Sequence, residues 1–290
     1  MIGPQAALLP ANLVQDAVRL ALAEDLGLSG DITSRLCIPQ GQQARLAMVA
    51  RKPGVVSGLA LAAEAFRQLD PSLAMTFPVD DGAVLTPGQA VLAVTGDARA
   101  ILAAERTALN FVGRLSGVAT LTADYVRRIA GTRASIVCTR KTTPGLRAFE
   151  KHAVLSGGGR NHRFGLFDAI LIKDNHVAVA GGIVPALQAA KRGGGHLVKI
   201  EIEVDTLDQL DEVLAEGADV VLLDNMGPDR LREAVGRIRA RRPAMLAEAS
   251  GGISLETVAD IAATGVDLVS VGALTHSAPV LDLGLDIAMT

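Results

Sequence analysis

From Leu13 to Glu24 the apolar residues Leu13, Val14, Ala17, Leu20 and Ala21 recur at helical spacing, which predicts an amphipathic helix. A polar, turn-rich stretch, EDLGLSGDITS, follows. Three segments of β character come next, ARLAMVARKPGVVSG, SLAMTFPVDDGAVLTPG and QAVLAVTGDA, punctuated by glycine and proline. The run LALAAEAFRQL between the first two reads as a helix. Two long helices are then predicted, ARAILAAERTALNFVGRL and VATLTADYVRRIA, separated by a break at Ser116-Gly117. This half reads as an α+β domain.

The rhythm then changes. Apolar runs appear at fairly regular intervals: SIVCTR, AILIKDN, LVKIEIEV, VVLLDN, AMLAEASGG and LVSVGAL. Most are separated by helical patterns such as TLDQLDEVLAEG, PDRLREAVGRIRARR and SLETVADIAATG. Strands buried on both faces read as near-continuous apolar runs, and alternation with helices implies a parallel sheet with right-handed crossovers. With this many units and no dinucleotide-binding glycine fingerprint, a barrel is preferred to an open sheet. Each run ends in chemically capable groups: Arg140-Lys141, Lys173-Asp174-Asn175, Glu203, Asp224-Asn225, Ser250-Gly251-Gly252 and Gly272. In α/β barrels the site lies at the carboxyl ends of the strands, where the strand-to-helix loops converge.

Composition narrows the picture. At 290 residues and nearly half apolar, the chain can bury one large core or two. Its 28 basic and 31 acidic residues leave a net charge of −3, which argues against a nucleic-acid or anionic-membrane partner. One tyrosine, six phenylalanines and no tryptophan make a base-stacking surface a poor fit. The two cysteines, Cys37 and Cys138, form neither a disulfide framework nor a metal-ligand spacing, and a cytoplasmic setting is expected. The amino terminus lacks the pattern of a signal peptide, and no apolar run is long enough to span a membrane.

The basic groups between Arg140 and His176 are the richest source of candidate chemistry. Arginine binds carboxylate or phosphate through a planar fork, and lysine acts as a point charge. Arg140, Lys141 and Lys173 abut strand ends, which favours a functional role; Arg147, Lys151 and Arg160 read as solvated loop charges. Ser156-Gly157-Gly158-Gly159 reads as a flexible loop or an anion cradle, and His176 as a helix cap without chemistry. Glu203 and Asp224 end neighbouring strands, where carboxylates can hold magnesium, accept ribose hydroxyls or stabilise a cationic transition state. Glu201 shares the strand face of Glu203, and its plainer reading is a buried ion pair, with Lys199 or another barrel residue. Ser250-Gly251-Gly252-Ile253 and Val271-Gly272-Ala273-Leu274 follow the last two strands, where barrel phosphate sites often lie, and each is expected to offer backbone N–H groups at a helix start. Cys138 has no adjacent histidine partner and reads as a small core residue.

At these residues the chain resembles the quinolinate phosphoribosyltransferases. The motifs are ERTALNF, TRKTTPGLR, GGGRNHRFGLFDAILIKDNH, IEIEV, LLDN, EASGGI and VGALTHSAP, in the family's order from Glu105 to Pro279. EDLGLSGDITS matches more loosely. The resemblance implies an amino-terminal α+β sandwich domain plus an incomplete TIM-like α/β barrel. The expected boundaries are 1–115 for the sandwich and 116–275 for the barrel, with 276–290 packing back onto the sandwich. It implies transfer of phosphoribosyl from phosphoribosyl pyrophosphate to quinolinate with decarboxylation. The products are nicotinate mononucleotide, pyrophosphate and carbon dioxide, in NAD biosynthesis. It further implies a magnesium cofactor and a homodimer with shared active sites.

By resemblance, Thr139, Arg140, His162, Arg163 and Lys173 hold quinolinate, together with Arg106 from the partner subunit. Lys141, Glu203 and Asp224 serve phosphoribosyl pyrophosphate and catalysis, with Glu203 and Asp224 also expected at the metal. Ser250, Gly251, Gly252 and Gly272 take phosphate. One departure is His152, where the family motif leads us to expect tyrosine; the position reads as a loop. Val79-Asp80-Asp81-Gly82 with Thr86-Pro87-Gly88 superficially resembles the acidic loop of Rossmann-like phosphoribosyltransferases, but a strand follows it, so it reads as a hairpin turn. Two alternatives remain at this stage: a same-fold paralogue associated with molybdate transport, and a non-catalytic phosphosugar-binding barrel.

Overall fold

The computed structural model describes residues 9–287. Residues 1–8, where the leader reading begins, and 288–290, at the end of the expected returning segment, lie outside the described residues. The chain divides into two compact units. The first comprises Met1–Ala123, Thr143–Gly158 and Ser277–Thr290, and the second Asp124–Thr142 and Gly159–His276.

The first unit opens with α1 (Ala11–Leu26), which buries Val14, Val18 and Leu22 at four-residue spacing. The short α2 (Ile32–Cys37) starts at Asp31, whose carboxylate accepts the Ser34 N–H at 2.9 Å, a standard N-cap bond. Strand β1 (Gln43–Ala50), the two-residue β2 (Gly54–Val55), α3 (Leu59–Leu69), β3 (Ala74–Thr76), β4 (Val84–Leu85) and β5 (Ala90–Asp97) follow. α1 packs against α3, which buries nearly all of its first two turns. β1 and β3 both pair antiparallel with β5, and β2 pairs separately with β4.

Helix α4 (Ala98–Arg128) is a single 31-residue element, so the break predicted at Ser116-Gly117 is absent. Gly117 has a different purpose. A Cβ there would collide with the backbone carbonyl of Pro279, so glycine permits close approach of another chain segment within the unit.

The barrel unit begins with β6 (Ser135–Val137). Before β7 the chain makes an excursion, α5 (Arg147–Ser156), that belongs to the first unit. The predicted boundary at 115/116 therefore differs from the structure, which assigns 116–123 and 143–158 to the first unit. The physical cause is burial: Glu150 is fully buried and its Oε1 accepts from Arg114 Nη2 at 2.7 Å and from Thr143 Oγ1 at 2.7 Å. Lys151 and His152, read from sequence as loop residues, are also buried on α5. His152 Nε2 lies 2.8 Å from Asp81, whose carboxylate also accepts the N–H groups of Gly58 and Leu59 at the start of α3. Ser156 ends α5, and Gly157, Gly158 and Gly159 continue as a turn and irregular chain, in line with the loop reading.

The barrel then runs through β7 (Ile170–Ile172), α6 (Asp174–Ala180), α7 (Ile183–Gly193), β8 (Ile200–Val204), α8 (Leu207–Glu216), β9 (Val220–Asp224), α9 (Pro228–Arg241), β10 (Leu246–Ser250), α10 (Val258–Ala262), β11 (Leu268–Ser270) and α11 (Ala273–His276). Its six parallel strands lie in the order β6-β11-β10-β9-β8-β7. β6 and β7, although consecutive in sequence, lie at opposite edges, so the barrel is incomplete. Backbone at Arg160 flanks the free edge of β6 through a parallel bridge to Val137. A Thr206/Gln209 capping box starts α8, and Pro228 starts α9. The last strand, β12 (Leu283–Ile287), belongs to the first unit and pairs antiparallel with β1, giving a four-stranded sheet ordered β12-β1-β5-β3. Among the described residues no helix is long and apolar enough to cross a membrane.

Candidate active site

The carboxyl ends of the barrel strands surround a cavity of about 700 Å³. Thr139, Arg140 and Lys141 follow β6, Lys173 follows β7, Glu203 lies near the end of β8, and Asp224 ends β9. Ser250, Gly251 and Gly252 close β10, and Gly272 follows β11. With His162 and Arg163, these twelve predicted residues line one cavity within the barrel unit. Arg106 does not line it; this exposed arginine borders a different cavity in the first unit, with Glu24, Asp25 and Asn110.

The turn after β6 is built locally. The Lys141 N–H donates to Thr139 Oγ1 at 3.1 Å, and Thr275 Oγ1 donates to the Lys141 carbonyl at 2.7 Å, fixing the backbone that carries Arg140 and Lys141. Cys138 is buried with its thiol 3.3 Å from Asn161 Oδ1, consistent with a small core residue. His176 accepts the Lys173 N–H at 3.0 Å, so it caps α6 as expected and fixes the base of Lys173.

The cationic groups are arranged against their own electrostatic preference. Burial and the nearby Arg140 guanidinium both push the Arg163 pKa down, burial being the larger cause. Arg140 keeps its Nε buried without a hydrogen-bond partner. Two guanidinium groups held together this way make a site prepared for an anion with more than one acidic group. Lys173 Nζ lies 2.7 Å from Glu203 Oε2, so the resting structure joins two residues expected to hold different substrates.

His162 lines the cavity, but both ring nitrogens already have partners. Nδ1 accepts the Arg163 N–H at 2.8 Å, and Nε2 lies 2.7 Å from Glu201 Oε2. Glu201 is thus a buried paired carboxylate, its partner being His162; Lys199 pairs with Asp219 instead. Glu248 also lines the cavity and escaped the sequence reading. A lone carboxylate inside the apolar strand AMLAEAS was the available signal.

Of the two glycine loops only the second meets the expected helix start, since α11 begins at Ala273 directly after Gly272. The helix α10 begins only at Val258, well past Gly252, and α11 is a single turn after Gly272. The loop itself is specialised: Gly251 has φ +93°, and a Cβ there would press on the Asn225 side chain and lie 2.9 Å from its backbone nitrogen. Asn225 is itself left-handed, with φ 53°, a conformation asparagine tolerates. Gly251→Ala is expected to raise the KM for the phosphorylated substrate at least tenfold, because strain and collision displace the loop. Steady-state kinetics beside a circular-dichroism melt checks this, and an unchanged KM in a folded variant counts against it.

Comparison with known proteins gives a consistent picture. The family model "Quinolinate phosphoribosyl transferase, C-terminal domain" matches residues 118–286, and the corresponding N-terminal domain model matches 31–116. The nicotinate-nucleotide pyrophosphorylase [carboxylating] of Mycobacterium leprae is 47% identical over 278 residues, covering 95% of this chain and 98% of that protein. A probable enzyme of the same name from Bacillus subtilis is 43% identical, covering 92% and 91% of the two chains. The solved nicotinate-nucleotide pyrophosphorylase of Francisella tularensis superposes with a TM-score of 0.93 at 38% identity, over 98% of this chain and 99% of the other.

Proposed function

The chain belongs to the quinolinate phosphoribosyl transferase family, and from that premise we infer how its residues carry out decarboxylating phosphoribosyl transfer in NAD biosynthesis. The observation that carries the assignment of roles is the Arg140–Arg163 pair, in one cavity with the carboxylates Glu203 and Asp224. A planar dicarboxylate matches the two guanidinium groups, and the phosphoribosyl donor matches Lys141 and the loops at Ser250–Gly252 and Gly272.

In this reading Arg140, Arg163 and Lys173 fix the two carboxylates of quinolinate, with Thr139 beside them. His162 orients the adjoining backbone through its bond to the Arg163 N–H. The pyridine nitrogen attacks the anomeric carbon as the bond to pyrophosphate breaks. Positive charge develops on the ribose, and Glu203 and Asp224 stabilise it. Lys141 takes charge on the departing pyrophosphate. The 2-carboxylate then leaves as carbon dioxide; the electron pair of the broken bond stays on the ring carbon, stabilised by the adjacent pyridinium charge, and that carbon takes a proton. No side chain serves as a nucleophile; the protein's contribution is orientation and electrostatics.

Magnesium fits the donor set at Asp224, a half-exposed carboxylate at the cavity edge with hard oxygen ligands, and would neutralise phosphate charge there. Glu203 is less available in the resting structure, since Lys173 holds one of its oxygens, and it would join Asp224 in holding the ion where substrate carboxylates draw Lys173 away. The two alternatives named above are not favoured. The relatives are named as pyrophosphorylases, and a binding-only barrel leaves Glu203 and Asp224 without a task.

The direct test incubates the protein with quinolinate, phosphoribosyl pyrophosphate and magnesium. Pyrophosphate and carbon dioxide are expected in equal amounts, with no release when any one component is omitted. Absence of release from a folded protein would overturn the assignment. The homodimer with a shared site has its own test. Arg106→Ala and Lys173→Ala are each expected to lose activity, and mixing them under conditions of subunit exchange is expected to restore about a quarter, the fraction set by random pairing in a dimer. No recovery despite demonstrated exchange would count against an arginine donated by the partner.

A further inference from the structure

Two residues before Glu203 on β8, and two before Ser250 on β10, the same strand faces carry Glu201 and Glu248 one layer deeper in the barrel. Both are buried, with Glu248 1% exposed. Neither oxygen of Glu248 makes a well-formed hydrogen bond, its polar neighbours being Glu201 and Ser270, and Oε1 of Glu201 makes none either. Unsatisfied buried carboxylate oxygens in such number are costly and need an explanation.

Hydrogen-bond accounting supplies one. Because His162 Nδ1 accepts the Arg163 N–H, the imidazole proton is on Nε2, and it is donated to Glu201 Oε2. That bond occupies Oε2 of Glu201 and leaves Oε1 open towards Glu248. An ionised Glu248 would add a second acceptor-only group beside it. A single proton on Glu248 converts two opposed acceptors into a donor and an acceptor. A cation is a poorer solution: the three groups could reach one, with ligand atoms within 4.8 Å of one another, but Nε2 carries hydrogen and cannot be a ligand.

We propose that Glu248 is a neutral carboxylic acid that donates to Glu201, and that this positioning residue sets the charge on the wall of the cavity whose basic groups hold the acceptor's carboxylates. Burial, then the charge of Glu201, push the Glu248 pKa up to about 8. Among the described residues the charged or titratable groups that face it are Glu201 from β8 and His162 from the connection between β6 and β7. β9 presents Leu222 opposite it, and β11 presents Ser270. As pH rises through 8, a second negative charge appears on the wall of the cavity that Arg140 and Arg163 also line. It opposes a dianionic acceptor in both ground and transition states, so KM rises while kcat changes little.

The effect on binding rests on the function proposed above; the protonation state does not, and can be read without turnover. Infrared difference spectra of the free protein between about pH 6 and pH 10 are expected to show a protonated carboxyl band lost near pH 8 and absent from Glu248→Gln. Wild-type KM for quinolinate is expected to rise about tenfold from pH 7 to pH 9, as a single group of that pKa dictates. In Glu248→Gln, whose amide still donates to Glu201, the rise disappears; in Glu248→Met, which cannot donate, KM is already raised at pH 7. If Glu248→Gln does not fold, Glu201→Gln is expected to move the band to lower pH by removing the opposed charge. No such band, an alkaline KM rise that persists in Glu248→Gln, or a stoichiometric metal bound by wild type and lost in that variant would each overturn the proposal. Turnover missing at every pH with the band present would instead indict the assigned function.

Discussion

Arg140→Ala loses about 10²–10³-fold in kcat/KM for quinolinate, largely through KM, while the protein melts no earlier than wild type. The first half follows from removing one partner of a desolvated charge pair, which costs about 2–5 kcal/mol. The second half is less usual and comes from the resting structure. Arg140 has a buried Nε without a partner and lies close enough to Arg163 to depress that group's pKa. Without substrate the pair is repulsive, so truncating one member relieves the other. Arg140→Lys recovers only part of the activity, since an ammonium cannot present the planar fork. Kinetics at saturating donor, with differential scanning calorimetry of the free protein, tests both halves. A variant that melts well below wild type would show that Arg140 is structural support, and a variant with near-normal KM would remove it from the acceptor site.

The second large effect concerns stability. Glu150→Ala is expected to cost about 3–5 kcal/mol, because it strips the counter-charge from a largely buried arginine. Glu150 is fully buried and takes bonds from Arg114 Nε and Nη2 and from the Thr143 N–H and hydroxyl. Arg114 in turn donates to the Ala278 carbonyl at 3.0 Å, so one ion pair ties together three separate stretches of the chain within the first unit. Glu150→Gln keeps the geometry but not the charge and should fall between. Urea titration followed by far-ultraviolet circular dichroism reads the shift in midpoint. A change of less than about 1 kcal/mol in Glu150→Ala would mean that the pair is dispensable.

The barrel was the most legible part of the chain. Parallel strands buried on both faces leave apolar runs, and polar residues at their ends mark the cavity, so β8 and β9 with Glu203 and Asp224 could be found from pattern alone. The short strands β2 and β4, two residues each, carry too few positions for a period to register. Ser116-Gly117 misled because the reason for Gly117 is a segment more than a hundred and fifty residues away, Pro279. Lys151 and His152 misled for a related reason. Consecutive ionisable residues look solvated until their partners, such as Asp81 for His152, are known. At the site, residue types were visible but hydrogen bonding was not. Nothing in the spacing indicates that His162 turns to Glu201, or that Lys173 rests on Glu203.

The pairing of β12 with β1 has a consequence for synthesis on the ribosome. β1 emerges early, yet its second neighbour, β12, is translated only after the whole barrel. The barrel's final strand, β11, is complete before β12 exists. The sheet that contains β1 is therefore completed only after the barrel, and until then one edge of it is open to pairing with another chain. A protein stalled or truncated before residue 283 presents that edge permanently, so carboxyl-terminal truncation should produce aggregation from the opposite end of the sequence.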